Sequence, residues 1–201
     1  MSFFENTRKP VGFGGKLMVA MMNVGHSAVA RWGLRFLNVA PDARALDCGC
    51  GGGANIRRLL KKCPQGIVKG IDYSPVSVEK SKKVNEAAIA EGRCAVLQGS
   101  VADMMFADNW FDAVTAFETV YFWPDLPQCF REVHRVLKPG GTFLICNESN
   151  GDTDRDEKWT EIIGGMTIYK DTQLKAYLEQ AGFHEVQIQK KKSWLCITAR
   201  K

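Results

Sequence analysis

The fold of this 201-residue chain is decided by the stretch Ala45-Leu46-Asp47-Cys48-Gly49-Cys50-Gly51-Gly52-Gly53. It begins with apolar residues typical of a buried strand and ends with four glycines in five positions. An amphipathic pattern through Ile56, Leu59 and Leu60 then predicts a helix. Glycines at such a strand-to-helix turn allow a tight bend and the close approach of a ligand to the backbone. The stretch therefore predicts a ligand-binding loop in an α/β fold.

Apolar runs alternate with amphipathic stretches from residue 43 to residue 147. We expect helices after the glycines, from Pro75 to about Glu91, and over Leu126–Leu137. The expected strands are Ala43–Asp47, Ile67–Ile71, Cys94–Leu97, Phe111–Ala116 and Thr142–Asn147. Strands that alternate with helices form βαβ crossovers, which give a parallel, doubly wound sheet.

The C-terminal part of the chain predicts a different connection. A helix over Asp171–Ala181 precedes two strands, Glu185–Lys190 and Trp194–Ala199, with a short turn between them. A turn this short joins antiparallel strands, so we expect a hairpin at one end of the sheet. The prediction is a Rossmann-like, mostly parallel sheet of seven strands.

The remaining segments lie before and within this pattern. Residues 148–170 begin with an acidic run, Asp152 to Glu157, which we expect to be a solvated loop. Residues 1–42 are expected to be mainly helical, because apolar positions recur there at three- and four-residue steps: Met18, Met21, Met22, Gly25, Val29, Trp32 and Phe36. We predict one domain over residues 1–201, with a helical segment (1–42), a sheet core (43–147), an insertion (148–170) and a C-terminal helix and hairpin (171–201).

Composition limits the classes of function. Hydrophobic residues make up 45% of the chain and charged residues 24%, which is ordinary for a globular protein. The net charge of +5 is spread along the chain, so no nucleic-acid partner is expected. The apolar stretch Leu17–Met22 is far shorter than the roughly 20 residues of a membrane span. Seven cysteines without a C-x-x-C pair indicate reduced thiols, a cytoplasmic protein and no metal site.

Two carboxylates indicate the kind of ligand. Asp72 ends the second expected strand, where a carboxylate can accept hydrogen bonds from both hydroxyls of a ribose. Asp47 comes two residues before the first glycine, and its charge suits a cationic group better than a pyrophosphate. Dinucleotide-binding domains share the outline of glycines and a downstream acid, so a nucleotide-dependent oxidoreductase stays an alternative.

Six segments, in order along the chain, resemble those of class I S-adenosylmethionine (SAM)-dependent methyltransferases. The glycine stretch resembles the D-x-G-x-G-x-G loop of small-molecule enzymes such as the ubiquinone and menaquinone biosynthesis methyltransferases. The other segments are Asp72-Tyr73-Ser74, Gly99-Ser100-Val101 with Met104-Met105-Phe106, Asn109-Trp110-Phe111-Asp112-Ala113-Val114, Arg135-Val136-Leu137-Lys138-Pro139-Gly140-Gly141, and Leu174 with Ala181-Gly182-Phe183. The resemblance covers about residues 43–201 and implies SAM as the cofactor.

The resemblance also implies which residues bind the cofactor. Asp72 would hold the ribose and Tyr73 would pack on the adenine. The full set is Asp47, Gly49, Cys50, Gly51, Asp72, Tyr73, Ser100, Val101, Phe117 and Glu118.

The methyl acceptor is expected beside a helical N-terminal lid, since that zone often covers the cofactor in this family. His26, in this zone, is the candidate general base. The residues expected to bind the acceptor are Met22, His26, Tyr121, Trp123, Met166 and Tyr169. Structural roles stay open as alternatives. His26 would then be a hydrogen-bonded histidine at a helix junction, and Tyr121 and Trp123 would pack in the core.

The oxygen, nitrogen, sulfur or carbon atom that is methylated is left open by the sequence. A non-catalytic, SAM-binding regulatory protein stays an alternative, because it would need the same cofactor residues. The prediction is methyl transfer from SAM to a small-molecule acceptor.

Overall fold

The computed structural model describes residues 25–201, apart from the side chains of residues 154, 155 and 157. The strands are β1 (Arg44–Cys48), β2 (Ile67–Asp72), β3 (Cys94–Gln98), β4 (Phe111–Phe117), β5 (Leu137–Asn147), β6 (His184–Lys191) and β7 (Trp194–Arg200). The helices are α1 (Ser27–Gly33), α2 (Ala54–Lys62), α3 (Pro75–Val84), α4 (Glu86–Ala90), α5 (Leu126–Val136), α6 (Asp154–Ile162) and α7 (Asp171–Gln180). A 3₁₀ turn covers Val120–Phe122.

The strands form one sheet in the order β3-β2-β1-β4-β5-β7-β6. Strands β1 to β5 run parallel, whereas β7 is antiparallel to both β5 and β6. The predicted doubly wound sheet with a C-terminal hairpin is therefore confirmed. The strand order reverses between β1 and β4, and such a switch point opens a crevice at the carboxyl ends of the strands.

Each face of the sheet has its own apolar core. Helices α5 and α7 pack on one face through residues such as Phe130 and Leu174, and helices α1 to α3 pack on the other through residues such as Val29 and Leu59. Burial on both faces explains why the central strands β1 and β4 are mostly apolar and do not alternate. No helix within residues 25–201 is long and apolar enough to cross a membrane.

Helix α1 lies very close to the sheet because Gly33 has no side chain. The Sγ atom of Cys146 donates to the carbonyl of Val29 over 3.5 Å, and Sγ of Cys196 donates to the carbonyl of Gly33 over 3.9 Å. A Cβ atom at position 33 would collide with Sγ of Cys146. Gly33 therefore fixes the distance between the N-terminal segment and the sheet.

The expected helix from Pro75 to Glu91 is wrong in one respect, since it is broken at Asn85. There the backbone leaves the helical region, with φ at −116° and ψ at 19°. The side-chain Nδ2 of Asn85 donates to the carbonyls of Gly53 (3.1 Å) and Ser81 (2.9 Å). The break thus ties the end of α3 to the glycine loop.

The acidic run expected to be a solvated loop instead begins helix α6. Thr153 and Asp156 form a capping box, in which each side chain accepts a hydrogen bond from the backbone of the other residue. Oδ2 of Asp156 also accepts from the amide of Gly151 at 3.0 Å. An acidic residue at this helix position caps unpaired amides.

The described part of the N-terminal segment contains α1, whereas residues 34–42 lie outside helices, so the helical character expected for residues 1–42 stays a prediction. Met18, Met21 and Met22 lie outside the described residues. A lid over the cofactor stays a prediction.

The contact between Gly33 and Cys146 provides a test of the packing. We expect Gly33→Ala to lower the free energy of unfolding by about 1–3 kcal/mol, the usual cost of overpacking. In a Cys146→Ala background the same change should cost less, because the colliding Sγ is gone. Urea unfolding of the two single variants and the double variant measures this coupling. Additive costs would contradict the contact.

Candidate active site

A cavity of about 490 Å³ opens at the carboxyl ends of β1, β2 and β4. Its volume lies in the range of small-molecule sites. The wall contains these predicted residues: His26, Gly49, Cys50, Gly51, Asp72, Tyr73, Ser100, Val101, Phe117, Glu118 and Trp123. The structure therefore brings most of the predicted site residues to one place, at the switch point of the sheet.

The glycine loop is held by the neighbouring strand. The amides of Gly49 and Cys50 both donate to the carbonyl of Ile71, at 2.8 and 3.1 Å. Gly49 and Gly51 have φ angles of 70° and 50°, which side chains disfavour. A Cβ atom at Gly49 would collide with Thr119, whereas one at Gly51 would meet no atom within 4 Å. The loop therefore packs against Thr119 at Gly49, whereas the space beside Gly51 is empty.

Asp72 links the glycine loop to the start of α3. Its Oδ2 accepts from the amide of Gly51 at 2.8 Å, and its Oδ1 accepts from the amide of Ser74 at 2.9 Å. Burial raises the pKa of Asp72, while these two amide hydrogen bonds lower it. Each carboxylate oxygen can accept a further bond. Asp72 can therefore accept from two ribose hydroxyls, since it lines the cavity.

Asp47 lies within β1, two residues before Gly49, and is not part of the cavity wall. Its Oδ1 accepts from the hydroxyl of Thr115 at 2.8 Å, while its buried Oδ2 has no hydrogen-bond partner. Burial raises the pKa of Asp47 to about 7; the bond from Thr115 and the charge of Arg58 act against this, and the charge of Asp72 adds to it. Asp47 thus keeps one buried oxygen free to accept from a bridging water or a cationic ligand group.

Cys50 contributes backbone to the wall, while its thiol faces away. Sγ donates to the hydroxyl of Ser81 at 3.8 Å. Burial raises the pKa of the Cys50 thiol well above its ordinary value. A thiol held protonated in this way is a packing group and no nucleophile.

The wall near β2 and β3 suits a flat ring. Tyr73 is 41% exposed and borders the cavity, as do Ser100 and Val101. The Ser100 hydroxyl already accepts from the amide of Ala102 at 3.2 Å. The exposed Tyr73 ring can stack on an adenine.

The opposite end of the cavity carries titratable groups. Glu118 follows β4 with an unusual φ of 57°, and its carboxylate accepts from the amide of Glu148. Burial, and next the charge of Glu148, raise the pKa of Glu118 well above its usual range. Burial lowers the pKa of His26, which favours its neutral imidazole. His26 lies on the cavity wall.

Three residues expected to bind the acceptor lie away from the cavity wall. Tyr121 is buried, and its hydroxyl is engaged with the amide (3.1 Å) and the carbonyl (3.4 Å) of Ser149. The Tyr169 ring packs against Tyr177 and the core instead. Met166 is half-buried and its neighbour Gly165 lines the cavity in its place. Met22 lies outside the described residues.

Phe122 borders the cavity although Tyr121 was expected there. Both residues belong to the 3₁₀ turn, in which successive side chains point about 120° apart. A strand or loop pattern in the sequence does not indicate this turn. Consequently the sequence places an aromatic group here but does not tell which one faces the ligand.

Arg58 and Thr119 are site residues that the sequence analysis missed. Arg58 donates to Oδ1 of Asn55 and to the hydroxyl of Ser27, both at 2.7 Å, and so joins α2 to α1. Asn55 and Arg58 are three residues apart on the helix that follows the glycines, a spacing that could have indicated a shared face. Thr119 accepts from Nε1 of Trp123 at 3.1 Å and packs against Gly49.

Residues 46–145 match the family model described as a methyltransferase domain. The cycloartenol-C-24-methyltransferase of Arabidopsis thaliana is 31% identical over 159 residues, which are 75% of this chain and 47% of that protein. Two solved structures share the fold. A chain of the complex between the Haloferax volcanii Trm112 methyltransferase activator and a methyltransferase has a TM-score of 0.81 at 21% identity, covering 92% of this chain and 94% of that one. A SAM-dependent methyltransferase from Aquifex aeolicus has a TM-score of 0.76 at 18% identity, covering 92% and 97%.

The sheet order, the glycine loop and the cavity define the class I methyltransferase fold. With the match of residues 46–145 to the family model, they show that the chain belongs to the methyltransferase domain family, and its fold is shared with a SAM-dependent methyltransferase. It spans less than half the length of the first curated relatives, 31% and 47%. Those relatives are sterol methyltransferases, so the resemblance to quinone-biosynthesis enzymes stays a prediction.

The residues of the cavity fit SAM. The unpartnered Oδ2 of Asp47 suits a water molecule that bridges to the ammonium group of SAM, and Asp72 suits the ribose. Arg58 on the cavity wall is a cation that suits the carboxylate of the cofactor, and the open side of Gly51 leaves room for a ligand to approach its backbone.

Alanine at the two loop glycines should have different effects. Either change costs about 1–2 kcal/mol because of the positive φ angle. Gly49→Ala should cost more, because its methyl group collides with Thr119, and the added Thr119→Ala change should relieve this. Gly51→Ala should retain near wild-type packing but weaken S-adenosylhomocysteine binding roughly tenfold. Urea unfolding and calorimetric titration measure both effects; the same pattern in the two variants would contradict the geometry.

Asp47 should make the stability of the ligand-free protein fall as pH rises. Its pKa is about 7 when folded against an ordinary 3.8, so between these values the folded state binds more protons than the unfolded state. Relative to Asp47→Asn, the wild-type protein should lose on the order of 2 kcal/mol of unfolding free energy between pH 5 and pH 8. Urea unfolding at both pH values measures the difference, and a constant difference would show that Asp47 is ionised throughout.

Proposed function

We propose that the protein transfers a methyl group from SAM to a small-molecule acceptor. The observation that carries the proposal is a single cavity that reaches from Asp72 and Tyr73 to His26, Glu118 and Phe122. A cofactor and an acceptor can therefore lie in one cavity. The family to which the chain belongs supports the same reaction.

SAM, when bound, supplies a methyl group that its sulfonium already activates. The protein therefore has to align the two reactants and exclude water. Alignment of this kind is worth roughly 7–11 kcal/mol of the barrier. Asp72 would fix the ribose, Asp47 would act on the ammonium through water, and Arg58 would pair with the carboxylate.

The other end of the cavity would hold the acceptor. Phe122 and Trp123 provide an aromatic wall, which suits a flat or apolar molecule and can stabilise a nearby cation. Val29 and Gly165 come from the N-terminal segment and from the insertion, respectively. We therefore propose that residues 1–42 and 148–170 select the acceptor.

A cytoplasmic location is part of the proposal. All seven cysteines are unpaired and buried. Such thiols are typical of a reducing compartment.

Calorimetric titration tests the cofactor assignment. We expect saturable binding of S-adenosylhomocysteine and no binding of NAD. Asp72→Ala should weaken S-adenosylhomocysteine binding by roughly 1.5–3 kcal/mol, or about 10- to 150-fold, because charged hydrogen bonds to the ribose are lost. The matched control is Asp42→Ala, an exposed carboxylate before β1 at the other edge of the sheet. Thermal unfolding checks that both variants are folded.

Binding of NAD with no binding of S-adenosylhomocysteine would instead support the oxidoreductase alternative. For the transfer itself, methyl-labelled SAM is incubated with a panel of thiols, phenols, amines and carbon acids. Labelled product from any acceptor supports the proposal. Tight cofactor binding without transfer to the whole panel would favour the regulatory alternative.

A further inference from the structure

Three side chains of kinds that can bind a metal ion meet beside the cavity. They are His26, Glu118 and Glu148, and one ligand atom from each lies within 4.8 Å of the others. The three residues are far apart in the sequence, separated by 92 and 30 positions. No motif spacing could therefore have revealed them.

The fold itself brings the three side chains together. Glu118 directly follows β4 and Glu148 directly follows β5, and these strands are parallel neighbours in the sheet. His26 directly precedes α1, which the close contact at Gly33 holds against β5. Each of the three residues thus sits at the end of an element whose position is fixed by the core.

The carboxylate of Glu118 is also oriented by its surroundings. The amide of Glu148 donates to one carboxylate oxygen of Glu118, Oε1, which leaves Oε2 to bind another group. Tyr121 lowers the pKa of Glu118, and its own hydroxyl is held by the backbone of Ser149. Metal-binding carboxylates are commonly oriented by such outer hydrogen bonds. The unusual φ of Glu118 fits this arrangement, since it directs the chain so that the amide of Glu148 reaches the carboxylate.

A cation at this position would relieve the repulsion between the two carboxylates. Two half-buried carboxylates this close repel each other unless a proton or a cation lies between them. Among the described residues, the arginine on the cavity wall is Arg58, and it is already bonded to Asn55 and Ser27. A bound metal ion would balance both carboxylates and use the imidazole of His26 as its third ligand.

The donor set indicates which ions fit. One imidazole nitrogen and two carboxylate oxygens suit Mn²⁺, Fe²⁺, Co²⁺ or Zn²⁺, whereas Mg²⁺ and Ca²⁺ prefer oxygen alone and Cu⁺ prefers sulfur. His26 and Glu118 line the cavity, so the remaining coordination positions would face its interior. Three protein ligands with an open position are typical of reactive metal sites.

We propose that His26, Glu118 and Glu148 bind a divalent first-row transition-metal ion whose open position takes an oxygen atom of the methyl acceptor. A metal ion lowers the pKa of a bound hydroxyl group, so that the acceptor oxygen loses its proton to solvent before it is methylated. His26 is then a metal ligand rather than the general base that the sequence suggested, and Glu118 is a metal ligand rather than a cofactor-binding residue. The metal site itself does not depend on methyl transfer and is tested without SAM.

The test uses protein without a polyhistidine tag, stripped of metal by a chelator. It is titrated with Mn²⁺, and free Mn²⁺ is followed by electron paramagnetic resonance. We expect one ion to bind per chain. Co²⁺ gives a second readout, since its visible absorption reports a nitrogen ligand and should change in His26→Ala.

Variants assign the ligands. His26→Ala, Glu118→Gln and Glu148→Gln should each weaken Mn²⁺ binding by at least about tenfold. Glu148→Gln is the most informative, because the amide of Glu148, and not its side chain, holds Glu118. The matched controls are His184→Ala and Glu185→Gln, which change an exposed histidine and glutamate in β6 and should leave binding unchanged.

Thermal unfolding without metal identifies variants that are folded. Weaker Mn²⁺ binding in Glu148→Gln, at an unchanged unfolding temperature, supports the proposal. Absence of saturable Mn²⁺ and Co²⁺ binding, or equal binding in all three variants and the controls, overturns it. Methyl transfer by a protein that binds no metal would overturn the metal site and leave the proposed function standing.

Discussion

The carboxylate of Asp72 is the constraint on which the site depends. It accepts from the amide of Gly51 in the loop after β1 and from the amide of Ser74 at the start of α3. One side chain therefore fixes two neighbouring crossovers relative to each other. The group that orders the loop also lines the cavity, and both of its oxygens keep further acceptor capacity. The order of the loop and the polarity of the cavity wall thus depend on a single buried carboxylate.

The sheet could be predicted almost entirely from local sequence. Strands buried on both faces are short apolar runs, and glycines or a helix start mark where they end; β2 was expected over Ile67–Ile71 and extends over Ile67–Asp72. The expected helices were wrong where a side chain forms hydrogen bonds with the backbone of another residue. Asn85 breaks a helix because of its bonds to Gly53 and Ser81, and Asp156 starts one through a capping box.

The site residues that could be predicted from the sequence lie next to the glycines or at the ends of strands. Asp72, Gly49 and Gly51 follow from such positions. Arg58 and Thr119 did not, because their roles come from contacts across elements. The exchange of Tyr121 for Phe122 depends on a single 3₁₀ turn, which periodicity does not detect. The cluster of His26, Glu118 and Glu148 exists only in three dimensions.

The bond from Arg58 to Ser27 connects the two ends of the cavity. Arg58 lies on the helix that follows the glycine loop, and Ser27 is the neighbour of His26 at the other end. A ligand that draws the guanidinium away from Ser27 also alters the support of His26. Because Ser27 begins α1, a shift of this guanidinium acts directly on the helix that carries His26 at its N-terminus.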